Sequence, residues 1–194
     1  MKDISYAIGM NIGANLKQSG ANNLDYSEIA AGLKAILEGG QTRIDNKAAG
    51  QMLNKFFAEL EENAGKKAKE EGEAFLAANA TRPEVVTLKS GLQYEIMKEG
   101  TGKKPKATDS VVCHYHGTLV DGTVFDSSVR RGQPATFPVS GVIQGWVEAL
   151  QLMPVGSKWK LFIPYNLGYG ARGAGESIPP YATLVFEVEL IEIK

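Results

Sequence analysis

Apolar residues in the first third of the chain recur at helical spacing. Ile4, Ile8, Ile12 and Leu16 return every fourth residue, with Tyr6 and Met10 beside them, which predicts an amphipathic helix. Gly9 and Gly13 sit four apart on a neighbouring face. A glycine costs about 1 kcal/mol in a helix interior, so the pair reads as a place where another helix approaches closely rather than as a loose helix. Asp25-Tyr26-Ser27-Glu28 has the form of a capping box with Asp as its first residue, and Ile29, Leu33, Ile36 and Leu37 then form a buried stripe. Gly39-Gly40 ends this second helix. Asp45 can cap a third, with Ala48, Ala49, Met52, Leu53, Phe56, Phe57 and Leu60 on its apolar side. From Glu61 to Glu73 that helix has no large apolar residue, while Lys66 with Glu70, Lys67 with Glu71 and Lys69 with Glu73 can pair at i,i+4. Such a segment can bury nothing. It reads as a solvated helical arm rather than a disordered linker, because it is helix-forming and free of proline. From Asp45 to about Ala80 the helix would span roughly 50 Å.

Beyond residue 83 the period changes to two. Leu92, Tyr94 and Ile96 alternate with polar residues, Val111 to His116 reads as a second strand, and Asp121-Gly122 is a turn signal. Lys158 to Ile163 and Thr183 to Ile193 are further strands, and residues 145–150 fit one short helix. A loop from Pro164 to Ala182 holds four glycines and three prolines, a length that in a compact domain is commonly functional. All eight prolines lie at Pro83 or later, and so do all thirteen valines, while the first 83 residues hold fifteen alanines. The chain therefore reads as α+β: a helical module over 1–83, then a β-rich domain over 84–194 in which an antiparallel sheet wraps one short helix.

Charge and cysteine narrow the classes. A net charge of −1 argues against nucleic acid or an anionic membrane as main partner. No apolar stretch approaches 18 residues, so no membrane span is expected. The single Cys113 excludes an internal disulfide and a cysteine-based zinc cage. Met1-Lys2-Asp3-Ile4 leads straight into the helical pattern with no signal-peptide core, so a cytoplasmic location is expected. A leader already removed would instead fit the periplasm or an outer-membrane association. Helices over residues 1–60 make a thin core, which points to a homodimer formed through them.

Several motifs do not carry chemistry. Gly168-Tyr169-Gly170-Ala171-Arg172-Gly173 matches a dinucleotide fingerprint, yet Pro179-Pro180 follows closely and no βαβ unit surrounds it. His114 and His116 share one face of a strand, with Cys113 on the other. They read as a solvent-facing pair, since a structural metal site needs four ligands. No serine or cysteine has a paired base, and no metal or cofactor is expected. What remains is a set of aromatics, Tyr115, Phe125, Phe137, Trp146, Tyr169, Tyr181 and Phe186, able to wall a shallow apolar cleft beside Asp126.

The blocks that hold these residues are specific. Val112 to Leu119, Asp121 to Ser128, Val142-Ile143-Gln144-Gly145-Trp146, Gly168-Tyr169-Gly170 and Ile178 to Phe186 resemble, in that order, the signature of the FKBP-type peptidyl-prolyl cis-trans isomerases. The N-terminal half, with Ser5-Tyr6-Ala7-Ile8-Gly9 and the long third helix, is similar to bacterial members of the macrophage infectivity potentiator type. In those relatives the first helices form the dimer and the long helix carries the catalytic domains.

The resemblance implies an enzyme that accelerates X–Pro isomerisation during protein folding, with chaperone activity. The alternative is a non-catalytic scaffold that binds proline peptides in the same pocket. It implies Asp126, Tyr169 and Tyr115 as catalytic groups and Trp146 as the pocket floor. Phe125, Phe137, Val142, Ile143, Ile178 and Phe186 are implied as substrate-binding walls, with the Ile143 N–H on a substrate carbonyl. Arg131 is implied as support that orients Asp126. Partners would be unfolded or partly folded proline-containing chains, and macrolide inhibitors are candidate ligands. Ala135 and Ala174 stand where many single-domain relatives carry an aromatic residue and a histidine, which opens one wall.

Overall fold

The computed structural model describes all 194 residues except the side chain of Gln18. It divides into two compact units, Met1–Ala64 and Gly65–Lys194. The first holds α1 (Lys2–Gln18), α2 (Tyr26–Leu37) and the opening turns of α3, which runs Asn46–Asn79. The expected caps form. Asp25 accepts from the Ser27 and Glu28 N–H groups at the start of α2, and Asp45 accepts from Ala48 at 2.7 Å. Gly39, at φ 67°, follows α2 in the left-handed region that a residue without Cβ enters freely.

The apolar stripes of this unit lie open. Ile36, Leu37 and Leu33, read from the sequence as buried, are exposed, and α2 contains no buried residue. Gly9 and Gly13 seat no close helix contact within this unit either: a Cβ at either would meet nothing within 4 Å. They line, with Ile12, Leu16, Ile29 and Leu33, an apolar groove of about 510 Å³ between α1 and α2. The stripes are apolar as expected, but among the described residues of this unit nothing covers them.

The second unit begins with the closing turns of α3 and continues as one antiparallel sheet. Its strands are β1 (Val85–Thr87), β2 (Gln93–Lys98), β3 (Ser110–Leu119), β4 (Val124–Ser127), β5 (Ala135–Pro138), β6 (Lys158–Ile163) and β7 (Leu184–Ile193). The order is β1-β2-β6-β7-β3-β4, and β5 pairs with the first half of β3 where β4 pairs with the second. Between β4 and β5 lies a single turn of helix, α4 (Ser128–Arg131), and α5 (Gln144–Leu152) packs on the inner face. Leu161, Ile163, Leu184, Val188 and Leu190 form that face with Trp146 and Leu150 of α5, and most are fully buried. Cys113 points into the same core, and burial pushes its thiol up to about 12.

The outer face is covered by α3. Alternation turns Phe162 away from the core, where its ring lies 5.8 Å from that of Phe75. Gln93 is buried on the same side, accepting from Asn79 at 2.9 Å and donating to the Leu76 carbonyl at 2.9 Å. Gly65 and Gly72 are buried too, against Pro180-Tyr181 and Thr183. This corrects the reading of residues 61–73 as a segment that can bury nothing. The packing surface there is backbone exposed by glycine, which a count of large apolar side chains does not register. The two compact units meet at Ala64/Gly65, within α3, while the composition break lies at residue 83.

A chain starting at Gly65 should accordingly be more stable to denaturant than one starting at Glu84. Loss of Phe75 over Phe162 and of the Asn79–Gln93 pair should cost about 2–4 kcal/mol. Coincident unfolding curves would show that the closing turns of α3 add nothing to the sheet.

Candidate functional site

The site is built from α5 outward. Gly145 lets the helix lie directly on β6, since a Cβ there would fall 2.6 Å from Ile163 Cγ2. Trp146 is thereby held against the sheet, 4% exposed, with its ring edge-on to three others. Tyr115 from β3, Phe137 from β5 and Phe186 from β7 lie at centroid distances of 5.6, 5.7 and 5.3 Å from it. Gly117 makes room for the next pair. A Cβ at that position would lie 2.7 Å from Phe125 and 2.8 Å from Phe186, whose rings meet edge to face at 5.3 Å.

These rings wall a cavity of about 600 Å³. Val142 and Ile143, the latter at the N-cap of α5, form one side. Tyr169 and Ile178, from the loop between β6 and β7, form another. The structure thus brings to one cavity Tyr115, Phe125, Asp126, Phe137, Val142 and Ile143, and with them Trp146, Tyr169, Ile178 and Phe186. Gly141, Gly175 and Ser177 also line it, and nothing in their sequence context had singled them out. Ala174 lies on the cavity wall, whereas Ala135 packs against the core from β5.

One charged group faces this apolar space. The Tyr115 hydroxyl donates to Asp126 Oδ2 at 2.5 Å and accepts from Arg131 Nη2 at 2.6 Å, and Arg131 Nη1 also pairs with Asp126 Oδ1. The Ser127 N–H adds a bond to Asp126 Oδ1 at 2.8 Å. Arg131 does not line the cavity. It closes the network from α4, which is capped by the Ser127 hydroxyl accepting from Arg130 N–H at 3.2 Å. Burial pushes the Asp126 carboxyl up, but the bonds from Tyr115 and Arg131, the Arg131 charge and the Ser127 N–H outweigh it. The carboxyl is held below its ordinary value. Burial, followed by the Asp126 carboxylate, raises the Tyr115 phenol. The site therefore presents a fixed carboxylate and a neutral phenol at the rim of an aromatic box. The Trp146 indole N–H, among the described residues, has no hydrogen-bond partner.

The histidines differ from the solvent-facing pair expected. His114 and His116 are half-buried, and their Nδ1 atoms lie 3.1 Å and 2.9 Å from the hydroxyls of Ser128 and Ser127. Consecutive serines that start α4 bring hydroxyls onto the strand face where the two imidazoles sit. Among the described residues no three His, Cys, Asp or Glu side chains gather as a metal site. In the glycine-rich segment Gly170–Arg172 forms one 3₁₀ turn. It opens no helix that could receive a pyrophosphate.

Comparison with known proteins places both halves. Residues 101–191 match the model described as FKBP-type peptidyl-prolyl cis-trans isomerase. Residues 1–96 match the domain amino terminal to such isomerases. The chain is 47% identical to the FKBP-type 22 kDa peptidyl-prolyl cis-trans isomerase of Escherichia coli (strain K12), over 97% of this chain and 93% of that protein. It is 45% identical to the outer membrane protein MIP of Legionella longbeachae, over 98% and 84%. The crystal structure of FkpA from Escherichia coli superposes with a TM-score of 0.76 at 33% identity, covering 100% of this chain and 94% of that one. No helix among the described residues is long and apolar enough to cross a membrane. The expected cytoplasmic location draws no support from these relatives, one of which is titled an outer membrane protein.

The carboxylate network makes a pH prediction. Because the folded Asp126 carboxyl lies below its ordinary value of 3.8, its contribution to stability is complete above that value and lost as pH falls through the depressed one. The near-ultraviolet circular dichroism of the aromatic box should therefore hold constant from about pH 8 to 5. In Tyr115→Phe one donor to the carboxylate is gone, so the acid limb should move to higher pH. An acid limb at the same pH in both proteins would remove Tyr115 from the network.

Proposed function

The chain belongs to the FKBP-type peptidyl-prolyl cis-trans isomerase family, and we propose that it turns X–Pro bonds in the cavity floored by Trp146. The observation that carries this assignment of the site is the pairing of an aromatic box of about 600 Å³ with a single held carboxylate at its rim. The proline ring sits on Trp146, between Tyr115, Phe137 and Phe186. Asp126 and the Tyr169 hydroxyl address the backbone on either side of the bond, and the Ile143 N–H holds a substrate carbonyl. Ile178 closes over the ligand from the loop. Arg131 and Tyr115 fix the Asp126 rotamer.

The reaction needs no proton transfer. A planar amide resists rotation by about 18–20 kcal/mol because twisting removes its resonance. A twisted amide is less dipolar than a planar one, so an apolar cavity disfavours the ground state more than the transition state. Each 1.36 kcal/mol of that difference is about a tenfold gain in rate. Asp126 is already ionised at neutral pH and serves as a fixed acceptor. The small Ala174 leaves the wall beside Gly175 and Ser177 open to a bulky residue or to a macrolide.

Trp146→Ala should lower peptide turnover and also destabilise the unit by about 3–5 kcal/mol. Asp126→Ala and Tyr169→Phe should lower kcat/KM on a short X–Pro peptide about tenfold or less while the fold persists. Full activity in both folded variants would reject the roles given to the rim.

The helical unit is best read as a homodimerisation surface. Ile8 is 57% exposed and Leu37 82%, and both belong to apolar stripes beside the open α1–α2 groove. Apolar patches of that kind are seldom left to water. A second copy, with the same stripes, is the occupant, and it places two clefts on one client. Holding a chain near two sites raises the effective concentration of its X–Pro bonds, which gives the pair a chaperone role. Ile8→Lys should convert a dimer to a monomer in sedimentation without changing turnover of a short peptide. Refolding of a large proline-limited protein should slow in the same variant. An unchanged mass would reject this surface.

A further inference from the structure

The loop that closes the cavity has a second side. Its inner face carries Tyr169, Ala174, Ser177 and Ile178 into the cleft. Its outer face meets α3. Gly65 lies against the loop so closely that a Cβ there would be 3.1 Å from Pro180 Cβ and 3.4 Å from the Tyr181 ring. One turn on, Lys69 Nζ stands 5.7 Å from the Tyr165 ring and 5.8 Å from the Tyr181 ring, which meet edge to face at 5.3 Å. Tyr165 lies at the start of the loop and Tyr181 at its end, so one cation spans both. Two turns on from Gly65, Gly72 seats Thr183, whose Cβ would be 2.9 Å from a Cβ at that position.

Tyr181 links these contacts to the cleft. It is the one described residue other than glycine with positive φ, at 60°. A bulky side chain holds that conformation only where its surroundings fix it. Here the ring is fixed by Gly65, Lys69 and Tyr165, and the Tyr181 N–H donates to the Gly170 carbonyl at 2.9 Å, next to Tyr169. Two residues away, Pro179 abuts Gly173, where a Cβ would fall 2.8 Å from the Pro179 carbonyl carbon. That contact adjoins the Ala174–Ile178 bridge, whose paired bonds of 2.9 and 3.2 Å set the turn carrying Ile178 over the cavity.

We propose that Gly65 and Lys69 of α3 are positioning residues for substrate binding: through Tyr181 they set the pose of the loop that presents Tyr169 and Ile178. This rests on the assignment of the cavity as the catalytic cleft. The helix thereby acts on the reaction without touching substrate. Because the loop contacts ligand in the ground state and the transition state alike, its displacement raises KM and spares kcat.

The test measures kcat and KM on a short X–Pro peptide for the full-length chain and for Gly65→Val, Lys69→Gln and Lys69→Arg. Gly65→Val pushes a branched side chain into Pro180 and Tyr181 and should raise KM about fivefold, with kcat within about twofold. Lys69→Gln should raise KM about twofold, and Lys69→Arg, which keeps a cation over both rings, should restore it. An unchanged KM in folded Gly65→Val overturns the proposal. If that variant fails to fold, equal KM values for Lys69→Gln and the unsubstituted chain overturn it. Asp126→Ala in the same series reports on the cleft itself. Full activity there would reject the site assignment, whereas wild-type behaviour confined to the α3 variants would reject only the positioning role.

Discussion

The close seating of α5 on β6 governs the catalytic unit. A seven-stranded sheet offers a long apolar face, and this protein covers its inner side with a helix of nine residues. Gly145 allows that helix to approach Ile163 without a side chain between them. The close approach delivers Trp146 to the middle of the sheet, where rings from β3, β5 and β7 surround it. Nine residues of helix are too few to fill the space beyond Trp146. The unfilled remainder, walled by aromatics, is the cleft.

The same economy explains why the chemistry is so plain. A cleft produced by incomplete coverage is apolar by origin, because its walls are core side chains left without a neighbour. Polar groups enter only from its rim, where Asp126 is held by Tyr115, Arg131 and the Ser127 N–H. If the cleft is the site proposed above, that combination suits a reaction whose barrier is lost amide resonance: a dry floor for proline and fixed acceptors and donors for the flanking chain.

The longer elements were legible because their periods repeat. Ile4 to Leu16, the Asp25 and Asp45 caps, and the alternation in β2, β3, β6 and β7 each offer several residues that agree. Shorter pieces carry too little period to read: β4 and β5 have four residues each, and α4 is a single turn between them. The aromatic set beside Asp126 was visible as composition, but its assembly depends on pairings such as Gly117 with Phe186, more than sixty residues apart in the chain. The buried side of α3 escaped for a different reason. Its packing residues are Gly65 and Gly72, and a residue that buries backbone leaves no hydrophobic signal. The histidines were misread because Ser127 and Ser128 reach them only once β4 has paired with β3.

The strand order also bears on synthesis. β7 is the last strand in chain order, yet it lies between β6 and β3 in the sheet. As the polypeptide emerges, β3 and β6 must wait with open edges until residues 184–193 arrive to join them. The helical unit ends at Ala64, within α3, and its α1 and α2 are complete by Leu37, well ahead of β7 in the chain. At about 5–20 residues per second, translation separates the two events by roughly 6–26 s. If the helices pair as proposed, two nascent chains on one messenger have that interval in which to meet before either possesses a closed sheet.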